Sequence, residues 1–166
     1  TVRLWDVETG MEIRQFVGHE GVVHGLAFSA DGRRVATGGS DGTVRLWEAA
    51  TGKEIQQYKG HKGAVRAVAL SPNGKQLLSC GQDKTLRLWD VDSGKETGRL
   101  EGHKAAVMAV AFAADGRHAL SGGYDGTVRY WDVPGAKEIH RLEVPEDGVL
   151  RVALSVDGGR AAAGTL

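Results

Sequence analysis

Residues 43–48 read TVRLWE, and closely similar text stands at three other places: TVRLWD at 1–6, TLRLWD at 85–90 and TVRYWD at 127–132. The tryptophans in these four stretches are the only ones in the chain, and each lies 42 residues from the next. A fixed period of this length indicates a repeat architecture in which each copy forms one supersecondary unit.

Turn signals divide each period into four short segments. The dipeptides Asp31-Gly32 and Asn73-Gly74 are strong hairpin signals, because both residue types tolerate a positive φ. A second turn follows at Asp41-Gly42 and a third at Thr51-Gly52. The segments between the turns have the length of strands, and tight turns join antiparallel neighbours. Each period therefore predicts a four-stranded meander, and no sustained 3.6-residue apolar pattern favours a helix.

The first segment of each period is apolar on both faces, as at 22–29 and 64–71. Burial on both faces requires another sheet on either side of each meander. Small antiparallel sheets stacked face to face around an axis form a propeller. The sequence therefore predicts an all-β fold of four-stranded propeller blades, with four repeats' worth of chain.

Two recurring dipeptides give these repeats a family resemblance. Gly-His stands at 18–19, 60–61 and 102–103, and Trp-Asp or Trp-Glu closes each TVRLW stretch. With these motifs in register, essentially the whole chain resembles the WD-repeat family of β-propellers. In that family partners commonly dock on the face that carries the Gly-His loops, which we call the Gly-His-loop face.

The resemblance also implies a buried hydrogen-bond network in each blade, formed by a loop His, a Ser or Thr, a turn Asp and the Trp. Its members here would be His19, Thr37, Asp41 and Trp47; His61, Ser79, Asp83 and Trp89; and His103, Ser121, Asp125 and Trp131. A buried indole N–H needs an acceptor, and a carboxylate can orient an imidazole. Because an enzyme needs one site and not three copies, we interpret the network as structural and expect no catalytic residue, cofactor or metal.

The fourth copy departs from this pattern. Pro145 stands at the His position and Ala163 at the Ser or Thr position. The last unit is therefore not expected to build the network.

The family's strand order divides the chain into three whole blades, at about 22–59, 64–101 and 106–143, with half-blades at 1–17 and 149–165. Two arrangements remain open. The half-blades could pair to close a four-bladed ring, or the chain could be part of a larger ring, completed by its missing remainder or by a homodimer with eight blades. We favour the larger ring.

The resemblance places partner contacts at the start of the inner strands and just before the turn Asp. These positions are Val22, His24, Ser40, Ala64, Arg66, Gln82, Ala106, Met108, Tyr124 and Leu150. They differ from copy to copy, and Arg, Met and Tyr are enriched at interfaces. The alternative is that they vary because nothing constrains them.

Composition narrows the function classes. Lys plus Arg and Asp plus Glu number 21 each, so no bulk charge recruits nucleic acid or an anionic membrane. The single cysteine, Cys80, fits a reducing compartment, and we expect a cytoplasmic location. The prediction is a non-enzymatic scaffold that binds other proteins or peptides. The alternatives are a structural or self-assembling propeller segment without a partner, and a propeller appended to an enzyme such as a kinase or hydrolase.

Overall fold

The computed structural model describes residues 1–144 and 148–165. Within them the chain forms sixteen β-strands, none of its residues lies in a helix, and hence no helix there could span a membrane. The strands are β1 (Val2–Trp5), β2 (Glu12–Phe16), β3 (Val23–Phe28), β4 (Arg34–Gly39), β5 (Thr43–Glu48), β6 (Glu54–Lys59), β7 (Val65–Leu70), β8 (Gln76–Gly81), β9 (Leu86–Asp90), β10 (Glu96–Leu100), β11 (Val107–Phe112), β12 (His118–Gly123), β13 (Thr127–Asp132), β14 (Lys137–Glu143), β15 (Val149–Leu154) and β16 (Ala161–Thr165).

The strands form three antiparallel sheets of four and two sheets of two. We call β3–β6, β7–β10 and β11–β14 the first, second and third blades, β1–β2 the N-terminal pair and β15–β16 the C-terminal pair. In every sheet, strands adjacent in sequence are adjacent in space. The predicted all-β class, with blades that are four-stranded antiparallel meanders, is confirmed.

The first strand of each blade lies at the centre of the assembly. β3 contacts β7, β7 contacts β11, and β11 contacts β15, whereas the fourth strands lie at the rim. Each of these central strands has a register shift near its start, such as that between Val65 and Ala67. A bulge frees one residue from the ladder and re-aims its side chain. Arg66 is the residue between those two, and His24 and Met108 occupy the equivalent places.

The hydrophobic core lies between sheets. Tyr58 from the rim strand of the first blade packs on Trp89 of the second, with ring centroids 5.7 Å apart. One period later, Leu100 of the second blade packs in one cluster with Trp131 of the third. Each blade therefore buries its tryptophan against the outer strand of the preceding one.

The two-stranded sheets flank the three blades. In the N-terminal pair, Phe16 packs on Trp47 of the first blade at 5.8 Å between centroids. In the C-terminal pair, Val149 and Val152 pack against Leu120 of the third blade. Over residues 1–144 and 148–165 no ladder joins β1 to β16.

The second strands end in glycines that closely approach other atoms. A β-carbon on Gly39 would lie 2.4 Å from Nδ1 of His19, and one on Gly81 would lie 2.3 Å from the carbonyl oxygen of Ala64. Because glycine has no side chain, the ring of His19 can pack against the end of β4, and Ala64 can pack against the end of β8. The glycines thereby position the histidine.

Candidate functional site

In the first blade each member of the hydrogen-bond network donates to the next, in the order Trp47, Thr37, His19 and Asp41. The indole N–H of Trp47 donates to Oγ1 of Thr37 at 2.8 Å, and that hydroxyl lies 2.8 Å from Nε2 of His19. Nδ1 of His19 lies 2.9 Å from Oδ2 of Asp41. Because a carboxylate only accepts, Nδ1 carries the proton and Nε2 accepts from the hydroxyl. A neutral imidazole satisfies every member of the chain.

The second and third blades repeat this geometry. His61 contacts Asp83 and Ser79 at 2.9 and 2.8 Å, and the third blade has the same contacts between His103, Asp125 and Ser121 at 3.0 and 2.8 Å. The Trp89 and Trp131 indoles donate to the serines at 2.8 Å. The three imidazole side chains are at most 4% exposed, which leaves them no access to a substrate. The arrangement holds each Gly-His loop onto its blade.

Burial and hydrogen bonding set the charge states of the network. Burial alone raises the pKa of Asp41, but the hydrogen bonds it accepts from the Glu20 N–H, His19 and Thr43 outweigh it and lower the pKa to about 2. Asp125 behaves in the same way, and its pKa is also lowered to about 2. Burial lowers the pKa of His103 despite the neighbouring carboxylate. In the third blade the pair is therefore a carboxylate beside an imidazole whose neutral form is favoured.

These shifts predict that acid destabilises the fold. The carboxylates have a folded pKa of about 2 against an ordinary 3.8, so the unfolded chain takes up protons first. Their stabilisation is present above about pH 4 and lost as the pH falls towards 2, at roughly 1 kcal/mol each after solvent screening. His103, with its pKa below the ordinary 6.5, adds a smaller loss that begins below pH 6.5. Urea unfolding followed by tryptophan fluorescence across this range measures the effect, and stability that rises on acidification would contradict it.

The structure adds residues to the network that sequence reasoning missed. Arg87 on β9 donates to Glu96 on β10 at 2.7 Å and lies 3.5 Å from Asp83, and the hydroxyl of Thr85 donates to that carboxylate at 2.9 Å. The other two blades have the same set: Arg45, Glu54 and Thr43, and Arg129, Glu138 and Thr127. The 42-residue spacing of these Arg, Glu and Thr residues was a usable signal, because it equals that of the tryptophans.

The predicted partner-contacting positions of the loops and turns form one adjacent pair in each blade. The Val22 N–H donates to Oγ of Ser40 at 2.9 Å, and the Ala64 N–H donates to Oε1 of Gln82 at 3.1 Å. In the third blade the Tyr124 N–H donates to the carbonyl oxygen of Ala106 at 2.9 Å. The turn residues Ser40, Gln82 and Tyr124 are all exposed, and so is Val22, whereas Ala64 is buried and Ala106 is half-buried.

Three of the predicted first-strand positions line a cavity of about 290 Å³ between the central strands. They are His24, Arg66 and Met108. In the C-terminal pair Arg151 lines the cavity, and the predicted Leu150 does not. The residues equivalent to Arg151 are Gly25, Ala67 and Ala109. Small residues suit these positions because a β-carbon on Gly25 would lie 2.7 Å from the backbone of the next blade, whereas Arg151 is exposed.

The side chain of Arg66 lies beside that of His24 in this cavity. Its Nη1 lies 3.4 Å from both ring nitrogens of His24. Burial and the charge of Arg66 lower the pKa of His24, which favours the neutral ring. Nε of Arg66 is buried without a hydrogen-bond partner. The cavity therefore places the guanidinium of Arg66 beside the ring of His24.

Cys80 lies in the hydrophobic core between the second and third blades. Cys80 is fully buried, and burial raises the pKa of its thiol, which disfavours a nucleophile. No cluster of three metal-ligating side chains occurs in the described ranges. Ala163 lies on β16 without a hydroxyl to offer, and Pro145 lies outside the described residues.

Comparisons with known proteins found one matching family model and several relatives. A family model described as the fourth β-propeller of WDR90 matches residues 22–142. Two rice proteins, from Oryza sativa subsp. indica and subsp. japonica and each named guanine nucleotide-binding protein subunit beta, are 46% identical over 44 residues, which is 26% of this chain and 12% of theirs. Mouse (Mus musculus) coronin-7 is 45% identical over 42 residues, 25% of this chain and 5% of its own. The matched segment is thus a small part of each relative.

Proposed function

Because the chain belongs to the WD-repeat family of β-propellers, we propose that it is a non-enzymatic scaffold whose Gly-His-loop face binds other proteins or peptides. WD-repeat propellers generally serve as protein-interaction scaffolds. The rice relatives are themselves named as a subunit, which implies assembly with other chains in their case.

The observation that carries the proposal is the contrast between a constant frame and a variable face. The buried network has the same geometry in three blades, whereas the equivalent positions at the central cavity are His24, Arg66 and Met108. The exposed turn positions differ in the same way, with Ser40, Gln82 and Tyr124. Binding residues are commonly held on loops by a rigid scaffold, and this face fits that description.

The arrangement of His, Ser and Asp supports a scaffold over a hydrolase. In each blade the hydroxyl oxygen is already shared between the indole and the imidazole. The serine of the second and third blades is completely buried, as is the equivalent threonine of the first. A nucleophile must reach a substrate atom, and these oxygens have no route to one.

The test is a double variant, Arg66→Ala with Tyr124→Ala. The wild-type chain is used to select binding peptides from a displayed random library, and the selected peptides are then measured against the variant. We expect at least about tenfold weaker binding, since buried Arg and Tyr anchors commonly dominate an interface. The unfolding midpoint should stay unchanged, because Tyr124 is 47% exposed and neither side chain belongs to a hydrophobic cluster.

Lys75→Ala is the matched control. Lys75 is exposed in the hairpin between β7 and β8, at the opposite end of the same blade from the Gly-His loops. Its replacement should leave the affinity of the selected peptides unchanged. Peptides that bind the double variant as tightly as the wild type would overturn the assignment of the face.

A further inference from the structure

The second blade carries a group of cations on its Gly-His-loop face. Lys62 follows the histidine of the loop before β7, Arg66 lies on β7, and Lys84 follows the aspartate of the turn between β8 and β9. Lys104 occupies the place of Lys62 in the next loop, before β11. We call these four residues the cationic cluster.

The combination of these four cations belongs to the second blade and the loop that follows it, and the other blades do not repeat it. In the first blade the places of Lys62, Arg66 and Lys84 are taken by Glu20, His24 and Gly42. In the third blade the residues equivalent to Arg66 and Lys84 are Met108 and Gly126. The chain as a whole has no net charge, so the cluster is a local departure from a balanced composition.

The carboxylates of the turns beside the cluster are already engaged. Asp83 is bound by His61 and Arg87, and Asp125 by His103 and Arg129. At the rim, Glu101 lies 3.8 Å from Arg99. Among the described residues, no carboxylate lies within 4.0 Å, the limit of an ion pair, of any of the four cations, and Nη1 of Arg66 lies 3.4 Å from the ring nitrogens of His24.

Lys84 provides an independent observation. Its φ is 68°, in the left-handed region, and the equivalent residues of the other blades are glycines with φ of 75° and 71°. A residue with a β-carbon is disfavoured in this conformation, and glycine is the residue that folding alone favours. The side chain of Lys84 is exposed, so packing does not explain its presence.

We propose that the cationic cluster binds an acidic peptide, specifically an extended segment whose Asp and Glu side chains are spread along its length. The inference rests on the proposed function, because it names the chemistry of the partner at the same face. The four cations stand on four separate elements, and Lys62 and Lys104 lie on equivalent loops of adjacent blades, which stack about 10 Å apart. Separated charges complement several carboxylates better than one compact phosphate group, which several converging cations would surround.

The experiment uses the full chain and fluorescence anisotropy. The probes are a labelled peptide of alternating Glu and Ser, its counterpart with Gln in place of Glu, and a Gln-Ser peptide bearing a single phosphoserine. We expect the Glu peptide to bind, the Gln peptide not to bind, and the affinity for the Glu peptide to fall steeply as salt is added.

Lys84→Gly is the decisive variant, because glycine occupies the equivalent turn position in both neighbouring blades. We expect binding of the Glu peptide to weaken about threefold while the unfolding midpoint stays the same or rises. The triple variant Lys62→Gln, Lys84→Gly and Lys104→Gln should weaken binding about thirtyfold, since separated sites contribute additively. Lys75→Gln makes the same charge change at the opposite end of the blade and should have no effect.

The proposal is overturned if the Glu and Gln peptides bind equally, if Lys75→Gln weakens binding as much as Lys84→Gly, or if only the phosphoserine peptide binds. These outcomes are distinct from a failure of the proposed function. Library peptides without acidic residues that still require Arg66 and Tyr124 would leave the scaffold function intact and remove only the acidic partner. If no library peptide requires Arg66 and Tyr124 while the Glu peptide binds through the lysines, the assignment of Arg66 and Tyr124 to the binding site is the one to revise.

Discussion

Replacing Asp83 with alanine is expected to lower the free energy of unfolding by about 4 kcal/mol, because it breaks a buried network at its most connected point. The carboxylate accepts hydrogen bonds from Nδ1 of His61, the Lys62 N–H and Thr85, and it lies 3.5 Å from Arg87. Its side chain is 8% exposed, so water cannot replace these contacts. Alanine leaves the imidazole N–H of His61 buried without its acceptor, and Arg87 keeps only its contact with Glu96.

Two variants bracket this result in urea unfolding followed by tryptophan fluorescence. Asp83→Asn keeps the shape and one acceptor oxygen, and we expect it to lose about 2 kcal/mol. Asp92→Ala removes a carboxylate that is 76% exposed and lies 3.3 Å from Arg34, and such a surface pair contributes at most about 0.5 kcal/mol. Equal losses for Asp83→Ala and Asp92→Ala would show that the network does not stabilise the blade.

Gly81→Ala is expected to cost about 3 kcal/mol through steric conflict. The new methyl group would lie 2.3 Å from the carbonyl oxygen of Ala64, which is backbone and cannot rotate away. The start of β7 would have to move off β8, and the Ala64–Gln82 hydrogen bonds lie at that point.

Gly98→Ala is the matched control for the same urea measurement. Gly98 also lies in a strand of the second blade, but a β-carbon there would meet only Leu88, at 3.7 Å. We expect a change within about 0.5 kcal/mol, with a gain possible because alanine loses less backbone entropy on folding. A loss at Gly98 as large as that at Gly81 would indicate a general intolerance of the strands and not a local clash.

Much of the fold could be predicted because the information is local and repeated. Turn dipeptides and the 42-residue period mark where strands begin and end, and the all-β blades and the WD-repeat family are both confirmed. The Arg87–Glu96 pair was missed because charged residues are usually assigned to solvated faces, although both recur with the period of the tryptophans. Arg151 was missed because nothing in the local text of β15 shows which way its side chain lies.

Other properties are not local and could not be derived in this way. The relation between the N-terminal and C-terminal pairs depends on the rotation from blade to blade, which accumulates over side-chain volumes at every interface. The identity of a partner depends on the partner's own surface. For this reason the repeat predicts where variable residues such as Arg66 and Tyr124 stand, and their role in binding remains a prediction.

The placement of the apolar clusters between sheets has a consequence for how stability scales along the chain. The interface between the first and second blades buries Leu46, Tyr58 and Trp89, and that between the second and third buries Leu88, Leu100 and Trp131. The chain then behaves as a one-dimensional lattice with nearest-neighbour coupling. Each interface between neighbouring sheets, which we call a link, favours folding, and each sheet costs conformational entropy. A lone blade has no link, so its folding is uphill, and a defect in the central blade weakens two links at once.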